Sequence, residues 1–224
     1  MGMKRAGVEP GEACVGLAQF IATQDGVKFA GLMGWEGQTA GIADAKEKTS
    51  AVTSAVAGIV RTAELCRKAG LPVDIVSCGG TGTYWITAAQ PGITEIQAGG
   101  GVFCDVHYRR DFGVEHPYAL TVMTTVTSRP TPNRIICDAG KKAMSTEAGM
   151  PEPIGLGAVR AARLSAEHGV VELEQPNTTL RVGDRLEWVV GYSDTTVHLH
   201  DEIYATRKGR IEAVWPIVGR GKIR

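Results

Sequence analysis

The sequence predicts an α/β half built from parallel β/α units, followed by an all-β half of short antiparallel strands. Three observations predict it. Apolar, β-branched runs alternate with helical patterns through the first hundred residues. Three of those runs end in glycine-rich turns, at Gly34–Gly37, Gly79–Gly82 and Gly99–Gly101. From about Ala119 onward, short strands separated by Pro, Gly and Asn turns replace the alternation. The change sets a boundary within residues 110–120, giving a first domain over 1–112 and a second over 113–224.

The elements follow in order. Glu9, Pro10, Gly11 and Glu12 open a helix through Leu17, Phe20 and Ile21 that closes near Gly26. Val27 to Met33 is a short apolar strand. An Ala-rich helix runs over Ala43 to Ala69, with Val52, Val56, Ile59, Val60 and Leu65 at helical spacing and Gly70 as its C-terminal stop. Strands are expected at Val73–Cys78 and Ile93–Ala98. In the second half, strands are expected at 119–126, 134–138, 169–173, 185–190, 195–199, 203–207 and 210–217. In parallel β/α folds ligands collect beyond the C-terminal ends of the strands, so three consecutive glycine-rich strand ends point to one shared site.

Composition narrows the function classes. The chain has 224 residues with 24 basic and 24 acidic side chains, a balance that favours neither nucleic acid nor an anionic membrane as partner. No apolar run approaches the ~20 residues that span a bilayer, and the N-terminus lacks the apolar core of a signal peptide. Five scattered cysteines, none in a CxxC pair, read as reduced thiols of a cytoplasmic protein.

The stretch Val73 to Tyr84 carries the chemistry. A β-branched run ends in Ser77, Cys78, Gly79, Gly80, Thr81, Gly82 and Thr83. Glycines let backbone N–H groups approach an anion, and Thr hydroxyls add donors, which is the design of a phosphate cradle. The lysine of a P-loop and the spacing of a dinucleotide fingerprint are both lacking. The competing reading is a tight turn with no ligand. Cys78 and Cys104 admit a nucleophile reading, against which small core residues weigh more heavily.

Taken together, several segments resemble the D-threonine aldolase / D-serine dehydratase family, pyridoxal-phosphate enzymes of the alanine-racemase-like fold. They are Gly2–Val8, Gly31–Gly37, Ser77–Tyr84, Glu95–Gly100, Asp138–Ala143, Glu167–Gly169 and Asp194–Asp201, in the family's order and spacing. The resemblance implies the C-terminal part of a pyridoxal-phosphate-binding (β/α)8 barrel followed by an antiparallel β domain. A complete barrel takes about 250 residues, so a truncated family member is expected. The family's Schiff-base lysine lies on an early strand, and no lysine here occupies that position. With its strand edges unpaired, the isolated chain is expected to self-associate.

The resemblance also assigns residues. Gly79, Gly80, Thr81, Gly82 and Thr83, joined by Gly99 and Gly100, are expected to hold the cofactor phosphate, with Ser77 and Tyr84 as hydroxyl contributors. Gln97 takes the place of an arginine facing the pyridine nitrogen. Arg5 and Trp35 are expected at strand ends facing the cofactor. The β domain of the family supplies a divalent metal (Zn, Mn or Mg) through a His and, two residues on, a Cys or Asp. The aligned pair here is Tyr192 and Asp194, and Tyr192 departs from the pattern. On a strand, Asp194, His198 and His200 share one face and form a candidate metal set, with a hydrogen-bonded polar strand as the alternative. His168 is expected on the substrate side with Tyr192.

The activity implied is metal-dependent cleavage of D-β-hydroxy amino acids to glycine and an aldehyde, by a homodimer. The alternatives are dehydratase-type deamination and a catalytically incomplete chain. A racemase of this fold is disfavoured, because its tyrosine-base motif is missing.

Overall fold

The computed structural model describes residues 2–222. The chain forms two units, residues 2–101 with 110–115, and residues 102–109 with 116–222.

The first unit holds three parallel strands in the order β1 (Gly31–Met33), β2 (Ile75–Cys78), β3 (Glu95–Ile96). Helix α1 (Glu12–Ala22) precedes them, and α2 (Ala45–Lys68) connects β1 to β2. Both ends of α2 are written locally. The Asp44 carboxylate accepts from the amides of Lys46 and Glu47 at 3.0 and 2.8 Å, an N-cap. At the other end Gly70 takes a positive φ, its amide bonds the Arg67 carbonyl, and the Leu71 amide bonds Cys66, a Schellman stop. Val52, Val56, Ile59, Ala63 and Cys66 form the buried stripe of α2. Ile59, Ala63 and Cys66 pack with Val15, Ala18, Leu32, Val76 and Cys78.

All three strands are shorter than the apolar runs that announce them. β1 begins at Gly31 because only there does the chain pair with β2, through Gly31↔Ile75. β3 stops at Ile96 because the Gln97 amide turns away to the carbonyls of Cys78 and Gly79. The strand end expected at Gly2–Val8 is absent. Lys4 and Gly7 have positive φ, which interrupts an extended conformation.

The short helices α3 (Tyr84–Thr87) and α4 (Val106–Phe112) follow β2 and β3 respectively. The second unit is a six-stranded antiparallel sheet. Its strands are β4 (Thr121–Thr131), β5 (Arg134–Cys137), β6 (Glu152–Pro153), β7 (Val159–Leu164), β8 (Gly169–Leu173) and β9 (Arg185–Val189), in the order β6-β9-β4-β5-β8-β7. Helix α5 (Ser193–Val197) follows, and then β10 (Glu202–Arg207) and β11 (Arg210–Pro216) form a separate hairpin. Trp188, Ile135, Met144, Val126 and Val171 are fully buried at the centre of the sheet. β6 and β7 escape a pattern reading. One is two residues long, and the other carries Arg160, Ala161, Ala162 and Arg163 with only Leu164 buried.

One strand expectation is overturned. Among the described residues, 195–199 join no strand ladder; Ser193–Val197 is the helix α5. The β-branched Thr195, Thr196 and Val197 favour a strand locally, but a tertiary contact decides otherwise. The buried Asp105 carboxylate accepts from the Ser193 amide at 2.7 Å and from the Tyr108 amide at 2.8 Å. Among the described residues no helix is long and apolar enough to cross a membrane.

Candidate functional site

Because β1, β2 and β3 run parallel, their three glycine-rich ends lie on one side of the first unit, and side chains tie them together. The Gly34 amide bonds the Ser77 carbonyl at 2.9 Å, extending the β1–β2 pairing into the turn. The Gln97 side chain donates to the Gly34 carbonyl at 3.3 Å and to Ser77 Oγ at 3.0 Å. The Gly101 amide donates to Thr81 Oγ1 at 3.0 Å. Glu36, fully buried, accepts from the hydroxyls of Thr83 and Thr87 at 2.6 Å each and from the Gly79 amide at 3.3 Å.

This network redistributes the expected donors. Gly79 and Thr83 give theirs to Glu36. Ser77 gives its hydroxyl proton to Glu95 at 2.6 Å and accepts from Gln97. None of these three hydroxyl or amide groups is left for a ligand. The amides of Gly80, Thr81 and Gly82 have no acceptor among the described residues, although the turn is buried. The Thr81 hydroxyl accepts from Gly101 and keeps its own proton for donation. Tyr84 packs edge-on against Trp85.

The glycines of the turn are required by packing. A Cβ on Gly80 would sit 2.4 Å from the Trp35 indole nitrogen, and one on Gly82 would sit 3.1 Å from Ala40 and 3.2 Å from Phe112. Trp35 therefore lies against the turn itself, and the Arg5 guanidinium stacks 5.1 Å above the Trp35 ring. Arg5 reaches the site through Trp35 and not from a strand end. Gly99 and Gly100 lie in the one-turn helix Gly99–Val102, where the Gly99 amide bonds the Gln97 carbonyl.

In the second unit the expected metal set comes apart. With α5 in place of a strand, Asp194 and His198 are one helical turn apart, and His198 Nδ1 lies 3.4 Å from the Asp194 carbonyl oxygen. His200 Nε2 lies 2.8 Å from the Ala143 carbonyl and donates to it. The Asp194 carboxylate accepts from the Tyr192 phenol at 2.8 Å. Burial first, then that hydrogen bond, push the Tyr192 pKa well above the usual tyrosine range, so the phenol stays neutral. Its ring packs against His107 with centroids 5.2 Å apart. His198 lines an open depression with Lys141, Ser145, Glu147 and Thr195. His168 sits exposed in the β7–β8 turn, held by backbone bonds to Ser165.

Comparison with known proteins shows what both units resemble. Residues 1–106 match the model of the Alanine racemase, N-terminal domain, and residues 119–206 that of the Putative serine dehydratase domain. A 3-hydroxy-D-aspartate aldolase from Paracoccus denitrificans (strain Pd 1222) is 33% identical over 230 residues, covering 99% of this chain. A D-threonine aldolase from Arthrobacter sp is also 33% identical, over 224 residues and 99% of this chain. The chain spans 59% of the length of each. The crystal structure of a D-threonine aldolase from Filomicrobium marinum superposes with a TM-score of 0.90 at 30% identity, over 100% of this chain and 62% of that one. Over both units the chain resembles the D-threonine aldolase / D-serine dehydratase family.

The resemblance implies pyridoxal phosphate, and the first unit fits its phosphate. Three buried amides and one hydroxyl, all donors without an acceptor among the described residues, suit a dianion. A divalent metal does not fit. Among the described residues no group of three or more His, Cys, Asp or Glu side chains could hold an ion. The Asp194 carboxylate accepts from Tyr192, while His198 and His200 face the Asp194 and Ala143 carbonyls, and Lys141 brings a cation to the His198 depression.

None of residues 34–37, 79–84 and 97–101 at the strand ends is a lysine. Lys48 is buried on α2 and its pKa is lowered by burial, yet its amine donates to the Phe112 carbonyl at 2.8 Å. Glu36, Glu95 and Asp105 are the residues that reading the sequence misses. The one available signal was an acid inside the glycine-rich Gly34–Gly37 turn. The nucleophile reading of Cys78 fails on electrostatics. Burial, and next the Glu36 carboxylate, push its thiol up to about 12. Iodoacetamide at pH 8 is expected to leave Cys78 unmodified in the folded protein; peptide mapping that finds it alkylated as fast as in urea would refute this.

Proposed function

We propose that this chain carries the cofactor-phosphate side of a pyridoxal-phosphate-dependent lyase acting on D-configured β-hydroxy amino acids, with aldolase-type cleavage to glycine and an aldehyde. The observation that carries the reading is the buried Gly80–Thr81–Gly82 turn at the end of β2, whose amides have no acceptor among the described residues. The names of the two relatives support the substrate class.

Pyridoxal phosphate, when bound, supplies an electron sink for a bond broken beside the amino-bearing carbon. The chain's own contribution is to hold and orient it. The amides of Gly80, Thr81 and Gly82 and the Thr81 hydroxyl would hold the phosphate without a permanent positive charge. Gln97 is itself held by Gly34 and Ser77, so its remaining carbonyl oxygen has a fixed direction. That oxygen accepts and cannot donate, which favours a ring nitrogen bearing a proton if the two meet. Glu95, by taking the Ser77 proton, sets the direction of the Ser77–Gln97 bond.

A divalent metal has no part in this reading, because Asp194, His198 and His200 each bond a different partner. In the second unit the Tyr192–Asp194 pair offers acceptor oxygens to a substrate hydroxyl, since the phenol proton is already given to Asp194. A homodimer and a cytoplasmic location belong to the same proposal, the latter supported by five free thiols.

The test is a pair of titrations on the wild-type chain. Pyridoxal 5′-phosphate is expected to bind at least about tenfold more tightly than pyridoxal, because charge-assisted hydrogen bonds contribute about 1.5–3 kcal/mol each. Equal affinities would refute the phosphate reading.

A further inference from the structure

Glu36 is a buried acid that turn chemistry does not require. It lies three residues beyond β1, fully buried, and no cation among the described residues pairs with it. Such a carboxylate persists only where donors surround it, and here three do: the hydroxyls of Thr83 and Thr87 on Oε1 and the Gly79 amide on Oε2. These bonds gather both ends of the Gly79–Thr83 turn, and the helix after it, onto one anchor. They also consume the donors of Gly79 and Thr83, so the turn's remaining free donors are the amides of Gly80, Thr81 and Gly82 and the Thr81 hydroxyl.

We propose that Glu36 is the positioning residue of the anion site. Its carboxylate clamps the turn from behind and keeps the three amides free of internal acceptors for a phosphoryl group. The inference rests on the phosphate reading given above. A carboxylate is needed because all three groups facing it are donors. A glutamine could satisfy the two threonines through its oxygen, but its NH2 would then face the Gly79 N–H, donor against donor. An aspartate would fall one methylene short of the same three partners.

The experiment follows the amide resonances of Gly80, Thr81 and Gly82 in the 15N-labelled chain during titration with inorganic phosphate. Wild-type resonances are expected to shift saturably. Glu36→Gln is expected to weaken that binding by about tenfold or more, since a buried donor is left unmet. Thr87→Val removes a donor that lies outside the turn, and is expected to weaken binding by about threefold, with Thr87→Ser restoring the wild-type affinity. The Thr87 pair keeps the test decisive if Glu36→Gln does not fold, because a merely structural threonine would not link hydroxyl rescue to phosphate affinity. Saturable wild-type binding with unchanged affinity in Glu36→Gln or Thr87→Val overturns the role of Glu36 and leaves the phosphate reading standing. Absence of a saturable shift in the wild-type chain overturns both.

Discussion

Gly31→Ala is expected to abolish pyridoxal-phosphate binding and to destabilise the first unit by on the order of 3 kcal/mol. A Cβ at position 31 would lie 1.9 Å from the carbonyl oxygen of Ile75, 2.7 Å from its carbonyl carbon and 2.9 Å from its nitrogen. All three are backbone atoms of the neighbouring strand, so no rotamer change relieves the clash. Only separation of β1 from β2 does, at the Gly31↔Ile75 pair where the ladder begins. That separation reaches the candidate site. The turn after β1 is held to β2 by the Gly34–Ser77 bond, and Glu36 on that turn anchors Gly79, Thr83 and Thr87. Thermal unfolding of the variant, together with its pyridoxal-phosphate titration, checks the prediction. Wild-type affinity with a wild-type melting temperature would show that β1 and β2 tolerate a wider spacing.

Trp188→Ala is expected to destabilise the second unit by about 3–5 kcal/mol. Trp188 is fully buried in β9, paired with Val122 on one side and Pro153 on the other, and it packs in the cluster of Ile135, Met144 and Val171. Gly169 is held free of a side chain partly by this ring, since a Cβ there would come within 3.2 Å of it. The indole contributes area and not a hydrogen bond, because its Nε1 has no partner among the described residues. An unmet buried donor costs about 1–3 kcal/mol, so Trp188→Phe, which removes the N–H while keeping a large ring, is expected to cost less than about 2 kcal/mol. Urea unfolding followed by circular dichroism measures both. A phenylalanine variant as damaged as the alanine one would mean that the indole N–H is bonded after all.

The parts of the fold that were legible in the sequence are those whose causes are local. The ends of α2 are an example: Asp44 caps two amides within three residues, and Gly70 takes the conformation that closes the helix. The strands β2, β5, β8 and β9 were legible from their β-branched and apolar runs, and the glycine-rich strand ends of the first unit announced their shared side. β7 was not legible, because Arg160, Ala161, Ala162 and Arg163 neither alternate nor favour a strand, and its pairing with β8 supplies the order.

The candidate site divides the same way. The Gly80–Thr81–Gly82 turn could be picked out from composition. The assignment of Gly79, Thr83 and Ser77 as ligand donors could not be corrected from sequence, since their acceptors Glu36 and Glu95 lie 43, 47 and 18 residues away. The metal set failed for a related reason. A two-residue alternation places Asp194, His198 and His200 on one face only if the backbone is extended there, and Asp105, 88 residues from Ser193, holds the start of a helix instead.

Short-range periodicity and turn residues made the two-part architecture and the glycine-rich strand ends readable from residue order alone, while the family resemblance rested on whole motifs in their order and spacing. Only the tertiary structure decided which donors remain free, which acid clamps them, and that Asp194 and the two histidines part company. Hydrogen-bond partners compete across the whole chain, and a donor is available to a ligand only when no distant acceptor has already taken it.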